Sequence, residues 1–155
     1  MRIVVVAVGK PRDQALRAAI QDYETRASRY WPIAYQEVRE EAGRATAASL
    51  IRQREGERLL VRVGGQAHLV ACDATGDQMS SEEFAAWLQR EREDATRDIA
   101  FVLGGAFGLG SAVQEAASTR LSFSQWTLSH EIARLVLAEQ LYRAGTIIRG
   151  EPYHK

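Results

Sequence analysis

The run Ile99-Ala-Phe-Val-Leu103-Gly104-Gly105-Ala106-Phe107-Gly108-Leu109-Gly110 decides the fold. Its first five residues are all apolar, the length of a strand buried on both faces and too short for a helix of its own. They pass without a polar break into four glycines within seven positions, and Ser111 to Thr119 then reads as a short helix. Strand, glycine turn and helix together make the unit of a parallel sheet, where ligands bind at the carboxyl ends of strands. The glycines let the backbone approach a ligand closely and present amide donors at a helix start. The spacing is neither the dinucleotide fingerprint nor a phosphate loop with its Lys-Ser/Thr, so those cofactors have no support, and a plain connecting turn is the alternative.

Working outward, Ile3 to Val8 is a second buried strand, closed by Gly9 and Pro11. Asp13 can cap the helix that follows, with Leu16, Ala19, Ile20, Tyr23, Ala27 and Tyr30 at helical spacing and Pro32 at its end. Ile33 to Val38 is the next strand, and Glu40 to Ala45 a mobile loop. Residues 47 to 62 form a charged helix that Gly56 weakens by about 1 kcal/mol relative to Ala. His68 to Cys72 is a strand followed by a turn, Asp73 to Asp77. Ser80 and Glu83 form a capping box for a helix that buries Phe84, Trp87 and Leu88 and runs to about Glu93. Residues 121 to 128 form a strand or an ordered loop, and Ser129 opens a strong helix through about Ala144. The fold class is α/β, with a largely parallel sheet and helices on both faces.

The 155 residues, 46% of them apolar, suffice for one domain over 1–155 that buries about 70% of its unfolded surface. The single Cys72 can make neither an internal disulfide nor a Cys-based zinc site, and no metal is expected. No run reaches the roughly 18 apolar residues of a membrane span, and the start reads as neither signal peptide nor anchor, so a soluble cytoplasmic protein is expected. Twenty Lys and Arg balance twenty Asp and Glu. Neutrality argues against coating nucleic acid by bulk charge and requires any such contact to be local.

Two further places could carry chemistry. His130, in the first turn of the last helix, sits near the positive helix end, which favours a neutral imidazole able to accept a proton. His130 and Arg134 share a face, as do Glu139 and Arg143, whose order favours an ion pair. The helix is apolar nearly all round, which points to a homodimer, and Arg134 could serve its interface. The C-terminal Arg149-Gly-Glu-Pro-Tyr153-His154-Lys155 combines an aromatic, an imidazole and cations, the means of holding an unpaired RNA base and its phosphates. From Arg120 onward there are five Lys/Arg against three Glu, whereas residues 82 to 98 hold six acids against three Arg. Such a distribution suits local binding at one basic patch instead of bulk attraction to a polyanion. His68, within an apolar strand, reads as a satisfied core or edge histidine.

The motifs V-A-V-G-K at 6–10, L-G-G-x-x-G at 103–108, L-S-x-S-x-x-T-L-x-H at 121–130, A-E-Q-L-Y-R-A at 138–144 and R-G-E-P-Y-H-K at 149–155 occur in order along the whole chain. Together they resemble the bacterial ribosomal RNA large-subunit methyltransferase H family of the SPOUT superfamily. The resemblance implies a C-terminal deep trefoil knot, which periodicity cannot reveal. It implies methylation of N3 of a pseudouridine in 23S ribosomal RNA, within the large subunit or the assembled ribosome, with S-adenosylmethionine as donor. The cofactor-binding positions it implies are Cys72, Gly104, Phe123, Ser124, Gln125, Trp126, Thr127 and Leu128. It also implies that both subunits of a dimer contribute to each site, the tail reaching across.

In-line methyl transfer depends on positioning, and the N3 proton must leave. His130 or His154 could accept it, Arg143 would face phosphate or developing negative charge, and Tyr153 and Lys155 would hold the nucleotide. The sequence departs from the family pattern at Cys72, where Leu is usual, at Ala106-Phe107, where Pro-Glu is usual, and at Ser129 and Glu131 around His130. No acidic role can pass to 107, and Ser129 is free to cap the last helix. A related SPOUT enzyme acting on transfer RNA and a non-catalytic ribosome-binding factor are the alternatives.

Overall fold

A computed structural model describes residues 1–43, 46–94 and 96–155. In chain order the elements are β1 (Ile3–Val8), α1 (Gln14–Ala27), β2 (Ile33–Val38), α2 (Ala48–Val63), β3 (His68–Gln78), α3 (Ser81–Asp94), β4 (Ile99–Leu103), α4 (Ser111–Ala116), β5 (Thr119–Ser122) and α5 (His130–Ile148). The five strands form one sheet in the order β2-β1-β4-β3-β5, and every pairing is parallel. All six residues of β1 and all five of β4 are buried, as expected of central parallel strands.

Alternate residues of β1 feed two cores. Ile3, Val5 and Ala7 pack with Phe101, Leu88 and Leu141 beneath α1, α3 and α5, while Val4, Val6 and Val8 pack with Leu59 and Val113 beneath α2 and α4. Enclosing a side chain as completely as Phe101 or Ile3 stabilises the fold by about 1.5–3 kcal/mol each. The helix starts follow their capping chemistry. Asp13 accepts the Leu16 amide at 2.9 Å, and Ser80 and Glu83 exchange the reciprocal bonds of a capping box.

Several boundaries differ from the sequence reading. The turn chemistry at 73–77 is present, with Asp73 Oδ1 accepting the Thr75 amide at 2.9 Å, but it forms an irregularity inside β3, whose pairing with β5 shifts between Cys72 and Asp77. The close approach needs Gly76, where a Cβ would fall 2.6 Å from the Arg120 carbonyl carbon. The short helix stops at Ala116 so that Thr119 can join β5, and α5 continues past Ala144 to Ile148. Gly56 does not break α2; it is buried where α4 packs, a Cβ there lying 3.1 Å from Val113 Cγ2. Of the expected loop 40–45, residues 44 and 45 lie outside the described residues. Glu41 is tied to Arg54 and Arg58, which hold its carboxyl below the usual range.

Arg134 is buried and bonds Glu24 at 2.9 Å and Glu37 at 2.7 Å, joining α5 to α1 and β2 within the chain. His68 is a satisfied core residue. Its Nδ1 lies 3.0 Å from Arg97, which can only donate, so Nε2–H donates to Thr119 Oγ1 at 2.8 Å. Burial lowers its pKa against the pull of Glu91.

Candidate active site

The carboxyl ends of β4 and β5 and the break within β3 enclose a cleft of about 470 Å3. One wall is the turn after β4. Gly108 has φ +79°, and its amide donates to the Gly105 carbonyl at 3.0 Å. A Cβ on Gly104 would stand 2.6 Å from the Gly108 carbonyl carbon and 2.7 Å from its oxygen, so the turn closes only with glycine there. Behind the turn lies buried Glu55, whose Oε1 accepts the Glu41 amide at 3.2 Å while Oε2 is unpartnered among the described residues. Burial pushes this carboxyl up.

The opposite wall is the segment between β5 and α5, folded on itself by short-range bonds. Ser122 Oγ donates to the Ser124 carbonyl and Ser124 Oγ accepts the Trp126 amide, both at 2.9 Å. Trp126 is 81% exposed and Phe107, on the facing turn, 52%, so two aromatic rings stand at the mouth. Cys72 lines the cleft at the break in β3, and burial pushes its thiol up, which keeps it neutral. Ser129 accepts the Ile132 amide at 3.3 Å and caps α5. The capped first turn brings half-buried His130 to the cleft.

The tail lies at the other end of α5. His130 and Arg143 are thirteen positions apart on this helix, about 20 Å at 1.5 Å per residue. Gly150, at φ +66°, ends the helix in a Schellman arrangement, with Gly150 N bonding the Ile147 carbonyl and Glu151 N the Thr146 carbonyl at 3.0 and 2.9 Å. The chain then turns back along α5. Tyr30 donates to Glu151 and has its pKa pushed up to about 12 by that bond. Tyr153 packs its ring against Tyr142 at a tilted 57°, centroids 4.6 Å apart, and donates to Glu139 at 3.0 Å, and burial raises its pKa. Arg143 is paired with the same Glu139, which raises its pKa, and lies over the Tyr153 ring at 4.7 Å. His154 Nδ1 lies 3.2 Å from Arg143 and Nε2 2.8 Å from Glu82. Because a guanidinium only donates, Nδ1 is the acceptor and Nε2–H faces the carboxylate. Lys155 is exposed.

A family model described as "Predicted SPOUT methyltransferase" matches residues 1–154. The chain belongs to the SPOUT methyltransferase family. A "Ribosomal RNA large subunit methyltransferase H" of Gemmatimonas aurantiaca is 57% identical over the whole of both chains, and one from Geotalea daltonii is 44% identical over 99% of each. Among solved structures, a "hypothetical protein" superposes with a TM-score of 0.52 at 18% identity, covering 95% of this chain and 81% of that one. The putative methyltransferase Lpg2936 from Legionella pneumophila, solved with bound SAM, gives 0.50 at 11% identity, over 91% of this chain and 65% of that one. These two structures speak for the fold. Membership makes the chain an S-adenosylmethionine-dependent methyltransferase.

In this SPOUT methyltransferase the cleft is lined by Cys72, Gly104, Phe123, Ser124, Trp126, Thr127, Leu128 and His130, residues named from the sequence. Gln125 is exposed and does not line it. Arg143, Tyr153 and His154 form a second cluster, which one chain does not bring to the cleft. Glu139 was signalled by its spacing from Arg143, but Tyr23 and Glu82, which also hold the tail, stand 130 and 72 positions from their partners and gave no local sign. Phe107, seen in the sequence only as a departure from the family, is the second aromatic of the mouth.

Proposed function

We propose that this chain methylates N3 of a pseudouridine in 23S ribosomal RNA, within the large subunit or the assembled ribosome. The observation that carries the reading is the cleft, which unites the glycine turn, the 123–128 segment and His130. Its volume falls within the roughly 300–1,000 Å3 usual for small-molecule sites, and the glycine at 104 leaves backbone where a side chain would otherwise fill the space. Cys72, Gly104, Phe123, Ser124, Trp126, Thr127 and Leu128 would hold S-adenosylmethionine. When bound, it supplies a methyl group from a sulfonium.

His130 would accept the N3 proton as the methyl group passes from the sulfonium sulfur to nitrogen. Arg143, Tyr153, His154 and Lys155 bind and orient the nucleotide. Since these residues sit about 20 Å along α5 from His130, the working enzyme is a homodimer in which the tail of one copy serves the cleft of the other. A deep trefoil knot in the C-terminal part belongs to the same reading. We take the chain to act as a single domain, 1–155, in the cytoplasm; among the described residues no helix is long and apolar enough to cross a membrane.

The test is calorimetric titration with S-adenosylmethionine, followed by methylation of ribosomes, large subunits and transfer RNA. His154→Ala and truncation before Tyr153 are expected to abolish methylation of the ribosomal substrate and spare cofactor binding. Absence of cofactor binding by the folded chain would overturn the reading. Methylation of transfer RNA alone would move the substrate, and ribosome binding without cofactor use would indicate a binding factor.

A further inference from the structure

The sheet order places β1 directly beside β4, so what stands at the carboxyl ends of β1 and β2 adjoins the cleft over β4, β3 and β5. That neighbouring position holds a groove of about 490 Å3 whose cations are Lys10, Arg12, Arg17 and Arg39. A second groove, of about 410 Å3, shares Glu37, Val38 and Arg39 with it and adds Arg58 and Arg62. We propose that this continuous track binds the phosphate backbone of the RNA substrate beside the methylated nucleotide. The proposal rests on the RNA methyltransferase reading and extends it.

Charge and rigidity carry the argument. Lys10, Arg39 and Arg62 are exposed and have no carboxylate within 4 Å among the described residues. The acids in the two grooves are Glu37, Glu40 and Glu57. Glu37 is engaged by buried Arg134, and Glu40 is paired with Arg12 at 2.5 Å. The loop that carries Lys10 is fixed from behind, because Arg17 donates through Nε and Nη2 to the Pro11 carbonyl at 3.0 and 2.6 Å, and Gly9 N bonds the Val38 carbonyl at 2.8 Å. Arg58 fixes the other side by donating to the Arg39 carbonyl at 2.8 Å. The frame fixes the backbone that carries these cations, so binding must order only their side chains. The Arg12 amide donates to Glu131, the neighbour of His130, which joins the track to the first turn of α5.

Three of the five C-terminal cations offer less, although the sequence favoured them. Arg143 is paired with Glu139, Arg134 is buried between two carboxylates, and Arg149 lies over the Tyr30 ring at 4.6 Å. Unpaired, outward-facing cations next to a nucleotide-sized cleft match a polyanionic strand, which phosphate contacts position without reading its sequence.

The experiment compares the full-length wild type with Lys10→Gln/Arg39→Gln, and with Arg90→Gln on the exposed face of α3 as control. Affinity for ribosomal large subunits is measured by sedimentation between about 50 and 200 mM salt, and cofactor affinity by calorimetry. At about 0.9 in log–log slope per phosphate contact, each lost contact costs about tenfold in affinity at 0.1 M salt, so the double variant should bind up to about 100-fold more weakly with a slope shallower by about two. Its affinity for S-adenosylmethionine should match wild type, and Arg90→Gln should change neither quantity. Particle affinity and slope within twofold of wild type would overturn the proposal, as would an equal loss with Arg90→Gln. Failure of the underlying reading would show separately, as absent cofactor binding and methylation in the wild type, and would overturn the proposal with it.

Discussion

Replacing Gly104 by Ala tests whether the cleft depends on the closeness of its glycine turn. The added Cβ would stand 2.6 Å from the Gly108 carbonyl carbon and 3.0 Å from its Cα, both backbone atoms that cannot rotate away. Restoring ordinary contact at 3.4 Å requires Gly108 to retreat by about 0.8 Å. The Gly105–Gly108 bridge resists that movement, and the expected cost is about 1–3 kcal/mol of stability. For a chain of this size that is about 2–12 °C in melting temperature. The fold should survive, because β4 and α4 flank the turn without depending on its detail. The larger effect is on the ligand, since a wall displaced by nearly 1 Å can cost about 100-fold in a geometrically demanding step. Calorimetry with S-adenosylmethionine and single-turnover methylation read the two consequences. Gly65→Ala is the control, its Cβ meeting nothing within 4 Å. Wild-type cofactor affinity and turnover in Gly104→Ala, at any melting temperature, would refute the reasoning.

Three further outcomes are expected. Arg134→Met leaves Glu24 and Glu37 facing each other without their cation and should lose about 3–5 kcal/mol by denaturant titration at neutral pH. The loss should not depend on protein concentration; a concentration-dependent loss would return Arg134 to a subunit interface. His68 has a pKa lowered by burial, so its stabilising contribution is complete above the unfolded value near 6.5 and is lost as pH falls below it. The stability difference between about pH 7.5 and 5.5 should therefore shrink in His68→Gln, and an unchanged difference would count against the assignment. Tyr153→Phe removes the bonds to Glu139 and Tyr23 while keeping the ring on Tyr142, and should cost about 0.5–1.5 kcal/mol with secondary structure intact. No change in stability would mean that the tail is not held in this way.

The sequence made much of the alternation of strands and helices legible because β1 and β4 are short apolar runs closed by Gly9 and Gly104, and α1, α3 and α5 each have a local start signal, whereas β2 carries Gln36 and Glu37 and α2 starts at Ala47 without a side-chain cap. Asp13, Ser80 with Glu83, and Ser129 all cap as their chemistry predicts. The break in β3 was harder to read. Asp73 and Gly76 are turn residues, but whether a turn ends a strand or bulges within it depends on the partner strand, and Gly76 meets β5 at Arg120, 44 positions away. Likewise Arg134 reads as a surface cation on its own helix, and only the fold brings Glu24 and Glu37 to it from 110 and 97 positions away. The cleft residues were named through the family resemblance, since a glycine turn alone is equally a connector.

The same distances bear on how the proposed proton transfer is shared between the two histidines. In the folded chain both nitrogens of His154 are engaged, Nδ1 by the Arg143 guanidinium and Nε2 by Glu82. An imidazole whose lone pair already accepts from a guanidinium has none to offer a base proton unless Arg143 moves, and Arg143 is itself held by Glu139. His130 stands at the cleft with Ser129 and Glu131 fixing its turn of helix. On the proposed reading the labour divides accordingly. His130 accepts the proton, and the Arg143–Tyr153–His154 cluster presents donors and an aromatic face to the nucleotide. His154→Gln would then retain part of the activity that His154→Ala loses, because an amide can accept from Arg143 and donate to Glu82, whereas equal loss in the two variants would make His154 the base.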